Sequence, residues 1–250
     1  PKVLEDIQAV NGELRETDYP ISEGIANIFP SLMKDGMKYF EFTQNQSGEP
    51  IKADKPLNIG CVLSGGQASG GHNVIMGLFD MVKKIHPDSK LYGFLAGPHG
   101  VFTGNYMEIT GDYMNLYRNM GGFDMIRSGR HKIEKPEQFA ASLENCAKLD
   151  LDGLVVIGGD DSNTNACLLA EYFASKNAKT KVIGCPKTID GDLKNEHIPV
   201  SFGFDTATKV YSEAIGNLCS DVISSKDYYH FVRLMGRSAS HIALECALRT

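Results

Sequence analysis

From Leu57 onward, short apolar runs alternate with longer amphipathic segments, and this alternation limits the possible folds more than any other feature. The run Leu154–Ile157 is unbroken and aliphatic, which is typical of a strand buried on both faces. Strands that alternate with helices predict parallel βαβ units with right-handed crossovers. We therefore predict an α/β fold, a Rossmann-like layered βαβ domain with a mainly parallel sheet.

Apolar runs and helical spacing give the expected elements of this domain. The predicted strands are Leu57–Leu63, Leu91–Leu95, Leu154–Ile157, Val182–Cys185 and Tyr229–Leu234, with a short extended piece at Met125–Ile126 that ends at Ser128–Arg130. The predicted helices are Asn73–Lys84, Pro136–Leu149, a helix after Asn163 that runs through Ala174, a long helix with Ala207 to Leu218 on one face, and a final helix from Ser238.

The first part of the chain, to about Lys55, is polar and rich in turn signals. We expect an irregular N-terminal segment over residues 1–55 that packs on a main domain over residues 56–250.

Charge and composition exclude several classes of protein. Acidic residues outnumber basic ones, 31 against 25, which argues against nucleic-acid binding. No apolar run approaches the roughly 20 residues needed to cross a bilayer, and the N-terminus has no signal-peptide core. The six cysteines form no CxxC pair, so we expect buried free thiols in a cytoplasmic protein, and the scattered histidines argue against zinc.

Glycines follow the first predicted strand of the domain, from Gly65 to Gly71. Glycines before a helix let backbone N–H groups approach a phosphate closely, and the helix N-terminus favours an anion. The spacing fits neither GxxxxGK[ST] nor GxGxxG, so the usual nucleotide fingerprints fail and a dinucleotide-dependent dehydrogenase is disfavoured. A tight βα turn remains the alternative interpretation.

Carboxylates follow the next two buried strands. Adjacent Asp160 and Asp161 repel each other, and Mg²⁺, which commonly takes one or two carboxylates together with waters and substrate phosphates, would relieve that cost. The alternative is a helix cap at Asp161 or Ser162. Further along, Asp190 and Asp192 lie two residues apart, where one carboxylate could accept a proton from a hydroxyl.

Cations accompany these carboxylates. Lys187 lies just upstream of Asp190 and could balance a polyanion; the alternative is an acidic turn with a solvated lysine. In parallel sheets ligands bind beyond the carboxyl ends of the strands, where Arg130 and Arg237 are also expected. A glycine loop, a metal carboxylate, a base and cations at one edge of a sheet are the parts used by phosphoryl transfer.

The same loops resemble those of the phosphofructokinase family, and particularly its pyrophosphate-dependent branch. The resemblance covers the chain from about Leu57 to Thr250 and implies Mg²⁺-dependent, reversible transfer of a phosphoryl group from pyrophosphate to the 1-hydroxyl of fructose 6-phosphate. The motifs that carry it are Leu63–Gly66, Gly158–Asn163, Pro186–Asp192 and Met235–Arg237.

The resemblance also implies roles for individual residues. Gly65, Gly66, Arg130 and Lys187 match the pyrophosphate site, and Asp190 matches the base, with Lys187 and Asp161 also catalytic. The metal residues are Asp160 and Asp192. The residues matched to fructose 6-phosphate are Thr188, Ile189, Asp190, Met235, Gly236 and Arg237, with Lys226 and Tyr228 as further carry-overs from a region where Asp227 replaces the family's usual basic residue.

Two positions indicate the donor. ATP-dependent members resemble Gly-Gly-Asp-Gly where this chain has Asp161 as the fourth residue, and a carboxylate there disfavours the α-phosphate and nucleoside of ATP by volume and charge. They also resemble Pro-Gly-Thr where this chain has Lys187, which would supply a cation to pyrophosphate. The alternatives are an ATP-dependent 6-phosphofructokinase and a non-catalytic regulatory subunit.

The family pattern continues into a second, sugar-phosphate half that the chain does not show. The chain begins at Pro1 and stops inside a predicted helix, so we expect a piece of a longer enzyme that binds pyrophosphate and Mg²⁺ but does not complete catalysis alone. The family also implies a homo-oligomer, either dimer or tetramer, or pairing with a related subunit.

Overall fold

The computed structural model describes residues 10–16, 22–34, 38–44, 53–193, 201–224, 228–236 and 239–250. The strands are β1 Val10–Glu16, β2 Lys38–Gln44, β3 Asn58–Ser64, β4 Lys90–Phe94, β5 Tyr106–Ile109, β6 Ser128–Gly129, β7 Gly153–Gly158 and β8 Lys181–Pro186. The helices are α1 Glu23–Ile28, α2 Gly71–Ile85, α3 Pro98–Thr103, α4 Gly111–Tyr117, α5 Pro136–Lys148, α6 Asp160–Ser175, α7 Phe204–Val222 and α8 His241–Arg249.

The main sheet has the order β5-β4-β3-β7-β8, and β6 pairs with the end of β3. Every pairing in it is parallel except the one between β4 and β5. The mainly parallel α/β sheet is therefore confirmed. β5 was not predicted, because its short, half-exposed sequence lacks the apolar run that marks the central strands.

The core lies on both faces of this sheet, and alternate residues of the central strands divide between the two faces. Cys61 and Leu63 of β3 pack with α2 residues such as Ile75. Val62, between them, packs on the other face with residues of α5 and α6 such as Phe173. Helices thus cover both faces of the sheet, which explains why β7 reads as a continuous aliphatic run.

The N-terminal segment was expected to be irregular, but β1 and β2 form an antiparallel two-stranded sheet and α1 lies between them in sequence. The backbone N–H groups of Ser31 and Leu32 donate to the two carboxylate oxygens of Glu171 on α6, at 2.8 and 2.9 Å. These bonds attach residues 31 and 32 to α6, which packs on one face of the main sheet.

Two local predictions were wrong. Residues 229–234 form no strand and pair with none of the described strands; Tyr229 and Phe231 are 93% and 95% exposed, whereas Val232 to Leu234 line a cavity against α7. Met125 and Ile126 are buried in a turn rather than in an extended piece, and the strand begins only at Ser128.

The cysteines are free, as expected, but only part of the burial prediction holds. Cys61, Cys146 and Cys246 are buried, whereas Cys167 and Cys219 are exposed. Burial raises the pKa of the Cys61 and Cys146 thiols to about 12, which keeps both protonated and unreactive at neutral pH.

Candidate active site

The candidate site is built at the carboxyl ends of three neighbouring parallel strands. β7 pairs with β3 on one side and with β8 on the other, so the chain segments that leave these three strands meet at one edge of the sheet. The glycine turn after β3, the acidic start of α6 after β7 and Lys187 after β8 are thereby brought together, as the sequence predicted.

Hydrogen bonds to β6 fix the position of the glycine turn after β3. Gly65 has a φ of +86°, a conformation that glycine adopts without strain, and its N–H donates to the carbonyl oxygen of Gly129 at 2.9 Å. The Ser128 hydroxyl donates to the Gly65 carbonyl at 2.8 Å. Beside this turn, a Cβ atom on Gly66 would lie 3.2 Å from Nη2 of Arg130, so the predicted donor arginine does lie against the predicted donor loop.

Lys187 is buried, with only 3% of its surface exposed, which excludes the alternative of a solvated lysine. Its Nζ donates a hydrogen bond to the carbonyl oxygen of Gly66 and lies 5.6 Å from the centre of the Phe123 ring. Its backbone N–H donates to the Gly158 carbonyl at 2.7 Å, which ties it to β7 as well. Burial, together with the nearby charge of Arg130, lowers the pKa of the Lys187 ammonium below its usual value.

Asp160 and Asp161 form the first turn of α6 rather than the loop before it, so α6 begins four residues earlier than predicted. The N-cap is Gly159 without a side-chain cap, and the prediction of a cap at Asp161 or Ser162 was wrong. Both carboxylates are instead favoured by the positive end of the helix dipole.

Two side chains that follow the acidic pair fix the start of α6 on the sheet. The hydroxyl oxygens of Ser162 and Ser64 are 2.8 Å apart, which joins the helix to the end of β3. The Asn163 amide donates to the carbonyls of Gly158 and Gly159 at 2.7 and 2.8 Å. The contact between Ser162 and Ser64 could not be predicted from sequence, because 98 positions separate the two residues and it depends on how closely α6 approaches β3.

Sequence analysis also missed Lys132. Its Nζ lies 3.3 Å from Oδ1 of Asp161, and the two side chains are 46% and 69% exposed. The one available signal was the position of Lys132 two residues after Arg130, since alternate residues of an extended segment share a side.

The segment after β8 holds the predicted base. The N–H of Asp190 donates to the Thr188 hydroxyl at 3.1 Å, and the hydroxyl of Ser201 donates to the Thr188 carbonyl. Asp190 is half-buried whereas Asp192 is exposed, so the two carboxylates have different environments despite their spacing. Ser201 is a further supporting residue that the sequence did not indicate.

A cavity of about 360 Å³ opens beside the glycine turn and Ile189. Its walls come from the turn, from the loop before β6 and from α7, and include Gln67, Ser69, His72, Phe123, Ile189 and Tyr211. Phe123 belongs both to this wall and to the surroundings of the Lys187 ammonium. Gln67 to Gly70 of the glycine loop and the predicted sugar-phosphate residue Ile189 therefore line one cavity, whereas Gly65, Gly66, Arg130 and Lys187 are not among its lining residues.

The remaining predicted sugar-phosphate residues lie farther along the chain. Met235 and Gly236 line a second cavity of about 600 Å³ against α7, and Tyr211 borders both cavities. Tyr228 is 72% exposed. Lys226 and Arg237 lie outside the described residues.

Within the described ranges, no group of three or more His, Cys, Asp and Glu side chains could hold a metal ion. Mg²⁺ commonly takes one or two carboxylates and completes its shell with waters and substrate phosphates. Asp160, exposed in the first turn of α6, is a donor of the kind that Mg²⁺ prefers.

No helix among the described residues is long and apolar enough to span a membrane. The family profile of Phosphofructokinase matches residues 58–250, which is most of the chain. The chain belongs to the phosphofructokinase family. The match begins at the start of β3 and includes every strand of the main sheet and all of the predicted site residues.

Relatives that are about 60% identical to the chain are named as pyrophosphate–fructose 6-phosphate 1-phosphotransferases. The chain is 61% identical over 228 residues to pyrophosphate–fructose 6-phosphate 1-phosphotransferase subunit beta 2 of Arabidopsis thaliana, covering 91% of this chain and 40% of that protein. It is 60% identical to the pyrophosphate–fructose 6-phosphate 1-phosphotransferase of Porphyromonas gingivalis, covering 91% of this chain and 41% of that protein. The chain thus spans about two fifths of the length of these relatives.

A solved phosphofructokinase structure shares the fold. The pyrophosphate-dependent phosphofructokinase of Nitrosospira multiformis superposes with a TM-score of 0.66 at 21% identity, over 77% of this chain and 49% of that one. The layered, mainly parallel sheet described above is therefore the phosphofructokinase fold, of which this chain supplies part.

Proposed function

We propose that the protein transfers a phosphoryl group reversibly from pyrophosphate to the 1-hydroxyl of fructose 6-phosphate. One observation carries the proposal: the buried ammonium of Lys187 is bonded to the Gly66 carbonyl, while Asp161 stands at the end of the neighbouring strand. A fixed cation beside a glycine turn suits a small polyanion. A carboxylate at the next strand end opposes the larger, more charged triphosphate of ATP.

In the proposed reaction Asp190 accepts the proton of the sugar 1-hydroxyl, and the hydroxyl oxygen forms a bond to the terminal phosphorus of pyrophosphate. The bond from that phosphorus to the bridging oxygen breaks, and inorganic phosphate leaves. The half-buried position of Asp190 and the hydrogen bond from its N–H to Thr188 favour a fixed base. Donors that are already oriented stabilise the transferring group without reorganisation.

The pyrophosphate oxygens are proposed to meet the Gly65–Gly66 turn, Arg130 and Lys187. Mg²⁺, held by Asp160 and by Asp192, would neutralise charge on the donor when bound. Asp160 follows directly from β7 at the centre of the site, whereas Asp192 lies in an exposed turn.

The sugar phosphate is proposed to contact Thr188, Ile189, Met235 and Gly236, with Arg237, Lys226 and Tyr228 completing the set. Ile189 supports this assignment because it lines the cavity beside the donor turn. The proposal treats residues 56–250 as the donor-binding domain and residues 1–55 as a segment attached to it, for which the Glu171 bonds give support.

The proposal includes a cytoplasmic location, supported by six free cysteines, and an oligomer or a pair of related subunits, supported by the subunit name of the Arabidopsis relative. The alternatives are less well supported. Asp161 opposes ATP as donor, and a non-catalytic subunit has no need of the retained Asp160 and Asp190.

A donor-swap assay tests the proposal. The protein is incubated with fructose 6-phosphate and Mg²⁺, with either pyrophosphate or ATP, and fructose 1,6-bisphosphate is measured. Titration calorimetry with each donor in the presence of Mg²⁺ accompanies the assay. Binding of pyrophosphate but not of ATP is expected, and any fructose 1,6-bisphosphate that forms should depend on pyrophosphate. Use of ATP alone would overturn the proposed donor.

A further inference from the structure

Lys132 links the segment after β6 to the acidic start of α6. Its ammonium lies 3.3 Å from Oδ1 of Asp161. Asp161 follows Asp160 directly, so two adjacent carboxylates stand where the proposed donor carries several negative charges of its own. Like charges at such distances disfavour binding unless a cation compensates them.

The backbone beside Lys132 is fixed against α6. The N–H of Ile133 donates to Oδ1 of Asn165 at 3.0 Å, and the Asn165 amide donates back to the Ile133 carbonyl at 2.6 Å. The Ile133 side chain is buried, with 3% exposed. The position from which Lys132 reaches Asp161 is therefore set by the fold, although the side chain itself is half-exposed.

The cations of the candidate site lie in two places, the glycine turn after β3 and the acidic start of α6. Arg130 and Lys187 lie against Gly66, on the side of the glycine turn. Lys132 is the cation that the structure places on Asp161. A carboxylate that excludes ATP would also repel pyrophosphate if its charge were not balanced, and Lys132 has the position to balance it.

We propose that Lys132 is a positioning residue for donor specificity: it neutralises and orients Asp161, so that this carboxylate blocks a nucleoside triphosphate without repelling pyrophosphate. This inference rests on the proposed function. It assigns the donor preference to a pair of residues rather than to Asp161 alone.

A double-mutant cycle tests the proposal, with Lys132→Gln, Asp161→Asn and the double variant. The dissociation constant of magnesium pyrophosphate is measured by titration calorimetry at low ionic strength, where screening of exposed charges is weakest. We expect Lys132→Gln to weaken binding about fivefold, at the upper end for partly exposed pairs, and to have much less effect when it is combined with Asp161→Asn.

Two control variants and a second ligand distinguish a charge effect of Lys132 on donor binding from a general effect on charge or folding. Lys132→Arg should keep the wild-type affinity, because it retains the charge. Lys148→Gln, which removes an exposed ion pair with Glu144 on α5, should change nothing. Calorimetry with fructose 6-phosphate should give the same affinity for Lys132→Gln as for the wild type.

Each outcome decides one question. If Lys132→Gln costs the same affinity in the wild type as in the Asp161→Asn variant, the proposal is overturned, because Lys132 would then act on pyrophosphate independently of Asp161. An unchanged affinity of Lys132→Gln would also overturn it and leave the proposed function intact. A wild-type protein that binds no pyrophosphate would overturn both.

Discussion

At the scale of single residues, Lys187 combines a structural and a proposed functional role. We expect Lys187→Met to weaken pyrophosphate binding at least tenfold, because a buried charge is lost beside the donor turn. The Gly66 carbonyl also loses its partner, which should lower the free energy of unfolding by about 1–3 kcal/mol. Calorimetry and urea unfolding measure the two effects. Lys181→Met, at an exposed position at the start of β8, is the control, and equal pyrophosphate affinity in the two variants would contradict the prediction.

Asp161 should govern the choice of donor. We expect Asp161→Gly to raise the use of ATP relative to pyrophosphate, because the substitution removes both volume and charge at the start of α6. The ratio of kcat/KM for the two donors measures this change. Donor kinetics that match the wild type would count against the assigned role.

The sequence identified most of the residues that lie at strand ends, because such residues are marked by local patterns of glycine and aspartate. It could not show that Lys187 bonds to Gly66, since 121 positions separate them. It also could not show that Asp161 pairs with Lys132. The first contact depends on the order of β3, β7 and β8, and the second on the placement of β6 and β7 against β3; both are properties of tertiary structure.

At the scale of elements, Glu171 ties residues 31 and 32 to α6. Burial raises the pKa of its carboxyl, but the hydrogen bonds from Ser31 and Leu32 outweigh this and leave the pKa below its usual value of 4.5. A lowered pKa in the folded state means that the attachment stabilises the protein above about pH 4.5 and is lost as the pH falls through the lower, folded value.

Hydrogen exchange at Ser31 and Leu32 measures this attachment. After correction for intrinsic rates, we expect protection at pH 7 that declines as the pH falls below about 4.5. Glu171→Gln should show weaker protection at pH 7 and no such decline. Glu144→Gln, in an exposed pair on α5, should behave as the wild type. The same acid decline in Glu171→Gln would show that another group is responsible.

Elements of the main domain were predictable where the apolar pattern is strong, as in the unbroken run of β7 or the helical spacing of α5. The start of α6 was misplaced because aspartates were interpreted as a loop, although acidic residues are also favoured in a first helical turn. Residues 229–234 have the composition of a strand, but composition cannot supply the neighbouring strand that backbone pairing needs.

At the scale of the whole molecule, the two faces of one sheet should unfold together. Leu63 and Leu154 are both fully buried but belong to different core clusters. We expect Leu63→Ala and Leu154→Ala each to lower the free energy of unfolding by about 2–5 kcal/mol in one shared transition. Urea unfolding followed by fluorescence and circular dichroism tests this. Leu116→Ala, at a position 68% exposed, should have little effect. Separate transitions for the two core variants would contradict the expectation.

The fold class was predictable because burial on both faces leaves an unmistakable aliphatic signature in β7. The cavity beside the glycine turn was not, since its walls combine α7, that turn and the loop before β6, which are distant in sequence.

One glycine on β7 and one on β8 bear on how this protein can change over evolution. A methyl group on Gly158 would overlap Cβ of Ser162, and one on Gly184 would overlap Oδ1 of Asn163. Both contacts fall where α6 begins, just beyond Asp160 and Asp161. A larger residue at Gly158 would push that helix outward and carry the acidic pair with it, whereas one at Gly184 would displace the Asn163 amide from its bonds to Gly158 and Gly159. Substitutions at Gly158 and Gly184 are therefore expected to survive in descendants only alongside compensating changes at Ser162 and Asn163.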